Sequence, residues 1–144
     1  MKYLGLDLGT VTCGIAISDR TGIIANSYKT IRYKKENELL EKLDEIIKKE
    51  NINEIVLGLP KNMNNTIGER AETTIEFSKL LETKFNIKVH LEDERLTTVV
   101  AESILLEGDL SRKKRKKVID SLSASIILQS YLDRRKIWKK IKKT

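Results

Sequence analysis

The sequence predicts one α/β domain in which helices cover both faces of a mixed five-stranded sheet. Three observations support this fold class. Short apolar runs separated by glycine-containing turns fill the first 32 residues, which is typical of an antiparallel meander. Two later apolar runs alternate with segments of helical periodicity, as parallel strands joined by crossover helices do. The chain then ends in a long segment with helical spacing.

The N-terminal meander is predicted from three strand-like segments. Residues 3–7 form an apolar run that ends in Asp7 and is followed by Gly9, which indicates a buried strand entering a turn. Residues 14–19 predict a second strand, and a third passes through residues 28–31. Turn residues separate the three segments, so we expect them to pair antiparallel.

The middle of the chain predicts a helix, a buried strand and a second helix. Leucine and isoleucine recur at helical spacing over residues 36–50 on a Glu/Lys background, which indicates an amphipathic helix. Residues 55–59 form a continuous apolar run, typical of a parallel strand that is buried on both faces. Thr66 and Glu69 form a T-x-x-E capping box, which predicts a helix that ends near Asn86.

The last third predicts one more strand and the terminal helices. Residues 87–91 alternate between apolar and polar side chains and run into the acidic residues 92–94, which indicates a strand that ends in acid. A short helix ending at Gly108 follows, and six consecutive cations at 112–117 precede the final helix. This order of elements is that of a ribonuclease-H-like fold.

Composition limits the class of protein. A chain of 144 residues with 40% apolar residues is one domain with a buried core. No apolar run reaches the ~20 residues of a membrane-spanning helix, so no membrane association is expected. Cys13 is the only cysteine, which excludes an intrachain disulfide and a cysteine-based zinc site and indicates a reducing, cytoplasmic compartment.

Charge is divided unevenly along the chain. Residues 1–108 hold 15 Lys/Arg against 18 Asp/Glu, whereas residues 109–144 hold 13 against 3. A basic C-terminal quarter predicts a polyanionic partner, most simply nucleic acid, although a solvated tail that only aids solubility is the alternative. The consecutive cations before the final helix are predicted to bind substrate phosphates; they are Arg112, Lys113, Lys114, Arg115, Lys116 and Lys117.

Three acidic residues are candidates for a catalytic site. Asp7 is predicted to end the first strand and Glu94 to end the last. Ligands of open α/β sheets collect beyond the carboxyl ends of strands. Asp120 begins the final helix, where Ala124 and Ile127 on the same face predict packing against the sheet. Two alternatives stay open, because Asp120 could only complement the helix dipole and Glu94 could pair with the arginine that follows it.

Carboxylates that converge at a strand end repel one another unless a cation neutralises them. A site of oxygen ligands without His or Cys suits Mg²⁺ or Mn²⁺. Two such ions bridged by one phosphate would activate a water and stabilise the leaving oxygen of a phosphodiester. The sequence therefore predicts metal-dependent phosphodiester hydrolysis, with Asp7, Glu94 and Asp120 as both catalytic residues and metal ligands.

Four segments of the chain resemble the YqgF/RuvX family of small bacterial proteins. They occur in family order and span residues 3 to about 133. Written with their letters, they are LDLGT with GIA (residues 6–16), VLGLPKNM (56–63), DERLTT (93–98) and DSLSA with ILQSYL (120–132). The resemblance implies a ribonuclease-H-like domain over residues 1–133, a divalent-metal nuclease activity and a role in maturing the 5′ end of pre-16S rRNA. The basic extension at 134–144 lies outside the family pattern.

The resemblance also implies roles for individual residues. The family's acidic positions fall on the three carboxylates already reached from the strand ends. Whether Asp93 also holds metal stays open. The resemblance further implies that Arg95 steadies the carboxylates or a phosphate, and that Asn62 and Lys61 line the substrate groove.

Three functions remain open at this stage. The first is a nuclease that processes pre-16S rRNA, and the second is a DNA resolvase that cuts branched junctions. A resolvase needs a homodimer to place two symmetric cuts, whereas the rRNA nuclease acts as a monomer or a homodimer. The third is a noncatalytic nucleic-acid-binding protein in transcription or ribosome assembly. The same metal site serves RNA and DNA, so the sequence does not choose between them.

Overall fold

The computed structural model describes residues 1–60, 68–94 and 112–143, and within the last range it describes the side chains of residues 121–137. Eight elements follow one another along these residues. They are β1 (Tyr3–Leu8), β2 (Thr12–Ser18), β3 (Ala25–Arg32), α1 (Glu36–Glu50), β4 (Glu54–Leu59), α2 (Glu69–Phe85), β5 (Val89–Asp93) and α3 (Arg112–Lys143).

The strands form one mixed sheet in the order β3-β2-β1-β4-β5. The pairs β1–β2 and β2–β3 are antiparallel, whereas β1–β4 and β4–β5 are parallel. The predicted meander and the predicted parallel strands are therefore confirmed. The middle strand β1 and its neighbours β2 and β4 are largely buried, because helices pack on both faces of the sheet.

Helices α1 and α2 cover one face of the sheet. The periodicity that predicts α1 over residues 36–50 matches its observed bounds, and Asn51 ends it in the left-handed region at φ 54°. Leu43 of α1 and Leu81 of α2 join Leu6 and Leu57 of the sheet in one apolar cluster. This cluster forms the larger part of the core.

Helix α3 covers the opposite face and runs antiparallel to β1. The Tyr3 ring lies 5.8 Å from the Tyr131 ring, while the next residue on that face, Gly5, lies against an earlier turn of the helix. A Cβ atom at Gly5 would be 2.8 Å from Cβ of Leu128 and 3.2 Å from the carbonyl oxygen of Ala124. Glycine at this position therefore lets the helix lie directly on the strand.

The start of α2 differs from the prediction. The helix begins at Glu69 with Gly68 at its N-cap, and no side chain of the described residues caps it. Glu69 is therefore the first helical residue rather than the third, so the predicted capping box is wrong; Thr66 lies outside the described residues. Glu69 and Glu72 instead place negative charge in the first turn, which favours the helix dipole. The predicted end near Asn86 is confirmed, with φ 54° at that residue.

The predicted alternation of β5 is correct for only part of the strand. Val89 packs against the core, but Leu91 is 38% exposed and Glu92 is 4% exposed. Glu92 is buried because α3 lies over this face of the edge strand and brings Arg134 into an ion pair with its carboxylate. The helix predicted to end at Gly108 lies outside the described residues.

Helix α3 continues past the predicted domain end at residue 133 and reaches Lys143. Arg134 binds Glu92, and the guanidinium of Arg135 lies 5.3 Å from the centre of the Tyr3 ring. The first residues of the predicted basic extension therefore contact the sheet. Although α3 has 32 residues, neither it nor another helix in the described ranges is apolar enough to cross a membrane.

Candidate active site

Asp7 and Glu94 lie at the same edge of the sheet. Asp7 is the penultimate residue of β1 and Glu94 directly follows β5, with β4 between the two strands. These three strands are parallel, so their carboxyl ends meet at one edge. Side chains alternate along a strand, so Asp7 is on the same face of β1 as Gly5, the face that α3 covers.

Gly58 of β4 makes the space between these strands that Glu94 occupies. A Cβ atom at Gly58 would overlap Oε2 of Glu94 and lie 3.3 Å from its Cδ atom. The glycine is thus part of the site, a role that the sequence analysis missed. A signal was present, because a glycine inside an otherwise apolar strand marks a close approach by another group.

The Asp7 carboxyl strongly affects the ionisation of Glu94. Desolvation of the Glu94 side chain, followed by the charge and the hydrogen bond of Asp7, raises the pKa of Glu94 to about 8. The Arg70 guanidinium lowers this pKa and Asp93 raises it further, both to a smaller extent. Two carboxylates therefore do not readily both ionise here in the protein alone.

The surroundings of Glu94 Oε2 indicate which partner the carboxyls of Asp7 and Glu94 need. The atom is buried, and no donor to it exists among residues 1–60, 68–94 and 121–137. Two ionised carboxylates only accept hydrogen bonds, so the bond between Asp7 and Glu94 needs a proton on one of them. A hard divalent cation is the other partner that satisfies such oxygens.

The raised pKa of Glu94 predicts how the stability of the metal-free protein depends on pH. The unfolded chain loses the Glu94 proton near its ordinary value of 4.5, whereas the folded protein holds it to about pH 8. The free energy of unfolding should therefore fall as pH rises from 4.5 towards 8, by at most about 1.4 kcal/mol per pH unit from this group. Thermal unfolding in EDTA, compared between the parent and Glu94→Gln, measures this effect.

In Glu94→Gln the free energy of unfolding should fall less steeply with pH, because glutamine does not ionise. At pH 8 the variant should therefore be more stable than the parent. Among the described residues, the charged groups that act on Glu94 are Asp7, Asp93 and Arg70. Added Mg²⁺ should restore the stability of the parent at pH 8 but not change that of Glu94→Gln comparably. An equal slope in the two proteins would contradict the assignment.

Arg70 is a second residue that the sequence analysis missed. Its Nη2 atom donates to the carbonyl oxygen of Leu8 at 3.4 Å, and its charge lowers the pKa of Glu94. The side chain is exposed, so its guanidinium is available to a ligand as well. No sequence pattern indicated this role, because it depends on the start of α2 lying beside the end of β1.

The other candidate residues are described only in part. Asp93 ends β5 and is partly buried beside Glu94. The backbone of Asp120 and of the cations 112–117 belongs to α3, but the structure does not describe their side chains. Lys61, Asn62 and Arg95 lie wholly outside it. Within the described residues, no three His, Cys, Asp or Glu side chains form a metal-binding group.

Comparisons with known proteins give consistent results. A family model described as "RuvX: Holliday junction resolvase" matches residues 1–134. A protein of Oceanobacillus iheyensis named "Putative pre-16S rRNA nuclease" is 51% identical over 138 residues, which cover 94% of this chain and all of that protein. A Bacillus subtilis protein of the same name is 53% identical over 135 residues, covering 92% of this chain and 98% of that protein.

Solved structures share the fold at low sequence identity. RuvC of T. thermophilus in complex with a Holliday junction substrate matches with a TM-score of 0.58 and 11% identity, covering 94% of this chain and 95% of that one. The Fowlpox virus resolvase in complex with Holliday junction DNA matches with a TM-score of 0.59 and 12% identity, covering 93% and 98%. These similarities confirm the predicted ribonuclease-H-like fold.

Proposed function

Because this chain belongs to the RuvX family of Holliday junction resolvases, we propose that it is a metal-dependent nuclease that processes the 5′ end of pre-16S rRNA. The observation that carries the proposal is the pair of carboxyls at one sheet edge, with a buried oxygen to which no described residue donates. The names of relatives that are about half identical over nearly their whole length support the choice of RNA.

Asp7 and Glu94 would hold the cation, which we propose to be Mg²⁺ or Mn²⁺. When bound, the ion activates a water and stabilises the leaving oxygen of a phosphodiester. Gly58 keeps the Glu94 carboxylate in place by leaving its space open. Arg70 limits the repulsion between the two carboxylates and can bind a phosphate oxygen.

We propose Asp120 as the third carboxylate of this site. Helix α3 is antiparallel to β1, and Gly5 lies against the turn that contains Ala124. The next residue of that strand face, Asp7, then comes opposite the preceding helical turn, to which Asp120 belongs. The burial of Ala124 and Ile127, at 0% and 1% exposure, supports an orientation of this helix face towards the sheet.

The experiment that tests the function uses two substrates side by side. Purified protein is incubated with a pre-16S rRNA fragment and with a four-way DNA junction, in Mg²⁺, in Mn²⁺ and in EDTA. We expect metal-dependent cleavage of the RNA. Symmetric cleavage of the junction alone would instead support a resolvase, which the family description favours and which requires a homodimer. Binding of both without cleavage would support a noncatalytic protein.

We place this activity in the cytoplasm, where pre-16S rRNA is processed in bacteria. The single cysteine, Cys13, is buried in the larger apolar cluster and behaves as a small apolar side chain. The fold therefore does not depend on an oxidising compartment.

The basic C-terminal quarter is proposed to bind phosphates. Neutralising Lys113, Lys114 and Lys116 to glutamine should flatten the slope of log K against log salt by about 2 to 3 units and reduce cleavage, because each bound phosphate releases counterions. Truncation after Ile137 should also flatten the slope but leave metal-dependent cleavage in place. The truncation keeps Arg134, because that residue neutralises buried Glu92. Filter binding at several salt concentrations measures both slopes.

A triple glutamine variant of exposed lysines at the opposite end of the sheet provides the charge-matched control; the residues are Lys49, Lys84 and Lys88. This variant should keep the parent's salt slope. If the basic variants also kept it, the C-terminal charge would be a solubilising surface and would say nothing about the substrate.

A further inference from the structure

A cavity of about 370 Å³ opens at the carboxyl end of β1, where Leu8, the residue after Asp7, lines it. It lies between the first turns of α1 and α2 and the loop after β1, on the side of the sheet opposite α3. Its volume is within the range of small-molecule sites. Arg70 lines this cavity, and its guanidinium donates to the carbonyl oxygen of Leu8, next to Asp7 in the chain. The same charge lowers the pKa of Glu94, so Arg70 acts on both the cavity and the candidate active site.

The walls of the cavity are largely apolar and one of them is aromatic. Leu39 and Phe77 are buried at its base, and Leu8 and Tyr33 form its sides. The Tyr33 hydroxyl donates a hydrogen bond to the carbonyl oxygen of Gly9, which ties the ring to the loop after β1. The ring therefore has a fixed position, and a flat ligand can stack on it without ordering a mobile side chain.

The polar groups of the cavity select against a phosphate and in favour of a base. Glu36 and Glu69 line it as carboxylates, which repel anions and accept hydrogen bonds from amino groups. Adenine, cytosine and guanine each carry an exocyclic amino group. Arg70 is the cation among the lining residues, and its guanidinium can bind the phosphate attached to such a base.

We propose that this cavity receives one unpaired, amino-bearing nucleobase of the substrate strand, while Arg70 binds the phosphate that joins this nucleotide to the scissile position. The inference rests on the nuclease function proposed above and adds how the strand is positioned. It makes Arg70 a positioning residue and makes an unpaired nucleotide beside the cut a requirement of the substrate.

A matched pair of tryptophan variants tests the cavity. Thr73 lines it, whereas Thr83 is three helical turns away on the same helix. Both residues are exposed, and both hydroxyls donate to the carbonyl four residues earlier, at 3.1 and 3.0 Å. Thr73→Trp should fill the cavity, while Thr83→Trp should leave it open. The two variants lose the same hydrogen bond and therefore differ in whether the cavity is filled.

Adenosine 5′-monophosphate is titrated into the metal-free proteins and its binding is followed by NMR. We expect shifts at Leu39 and Phe77, and an affinity at least tenfold lower in Thr73→Trp than in Thr83→Trp or the parent. Ribose 5-phosphate should bind at least about fivefold more weakly than the nucleotide, because stacking of a base contributes about 1 to 3 kcal/mol. Equal binding of the two compounds, or unchanged affinity in Thr73→Trp, would overturn the proposal.

A competition experiment tests whether the cavity binds a base of the RNA strand or a free nucleotide. The pre-16S rRNA fragment should displace the bound nucleotide from the metal-free parent, because both would use the same cavity. Simultaneous binding would show a free nucleotide effector and overturn the proposal. Full RNA cleavage by Thr73→Trp would also refute the proposed role of the cavity, but it would not contradict the nuclease function. Nucleotide binding and displacement without any cleavage by the parent would refute the nuclease function alone.

Discussion

Asp7→Asn should abolish cleavage while leaving substrate binding largely intact. Removal of one metal-binding carboxylate takes away several kcal/mol of charge stabilisation, which corresponds to a loss of roughly three orders of magnitude in rate. Asparagine also offers an amide donor to the Glu94 carboxylate, so the pair no longer needs a cation. Affinity for the RNA should change little, because it comes mainly from cationic contacts elsewhere. Single-turnover cleavage and filter binding measure the two quantities.

Asp44→Asn is the control for this variant. It changes the net charge equally, but Asp44 is on α1 and pairs with Lys48 at 2.9 Å, away from the sheet edge. This control should cleave at the parent's rate. Calorimetric titration with Mn²⁺ adds a readout that does not depend on turnover, and it should show binding to Asp44→Asn and not to Asp7→Asn. Unchanged turnover of a clean Asp7→Asn preparation would contradict the carboxylate site.

Gly58→Ala should reduce cleavage by about a hundredfold or more, because displacement of a reacting group by about 1 Å has that effect. The new Cβ atom would overlap Oε2 of Glu94 and lie 2.7 Å from Cδ1 of Ile127. Both atoms are at the ends of side chains, so the fold can accommodate the methyl group by moving them. We therefore expect a folded protein with a lower Tm and with the Glu94 carboxylate out of place.

The double variant Gly58→Ala with Ile127→Val separates stability from catalysis. Valine lacks the Cδ1 atom, so it relieves the contact with α3 and should recover part of the lost Tm. The valine does not relieve the overlap between the new Cβ atom and Glu94, so cleavage should stay low. Recovery of cleavage together with Tm would show that Gly58 acts only through packing of the helix.

The fold was largely predictable because periodicity reports burial directly. The spacing of apolar residues placed α1 over residues 36–50, and the unbroken apolar run in β4 indicated a strand covered on both sides. The burial of Glu92 was not predictable in this way. Its partner Arg134 is 42 residues later in the chain, and nothing in the pattern of β5 indicates that a charged helix end covers that edge.

The candidate site was predictable to the extent that local context marks a residue as unusual. Asp7 stood out because it ends an apolar strand, and strand interiors disfavour aspartate. Gly58 carried a similar signal that was not used. Arg70 could not be found, because its position depends on where α2 begins, and the T-x-x-E pattern places that start too early.

The docking of α3 on β1 has a consequence for how the chain folds during synthesis. The last helix to be made covers the first strand, and until it leaves the ribosome Tyr3, Ala16 and Val56 have no cover on that face. These contacts join residues that are far apart in the sequence, such as Tyr3 and Tyr131, so closing them is a late and slow step compared with pairing of the N-terminal strands. A nascent or prematurely ended chain therefore exposes an apolar sheet to chaperones and proteases. Gly58 lies against both Glu94 and Ile127 of α3, so we expect the carboxylate pair to be held in place only after α3 has docked.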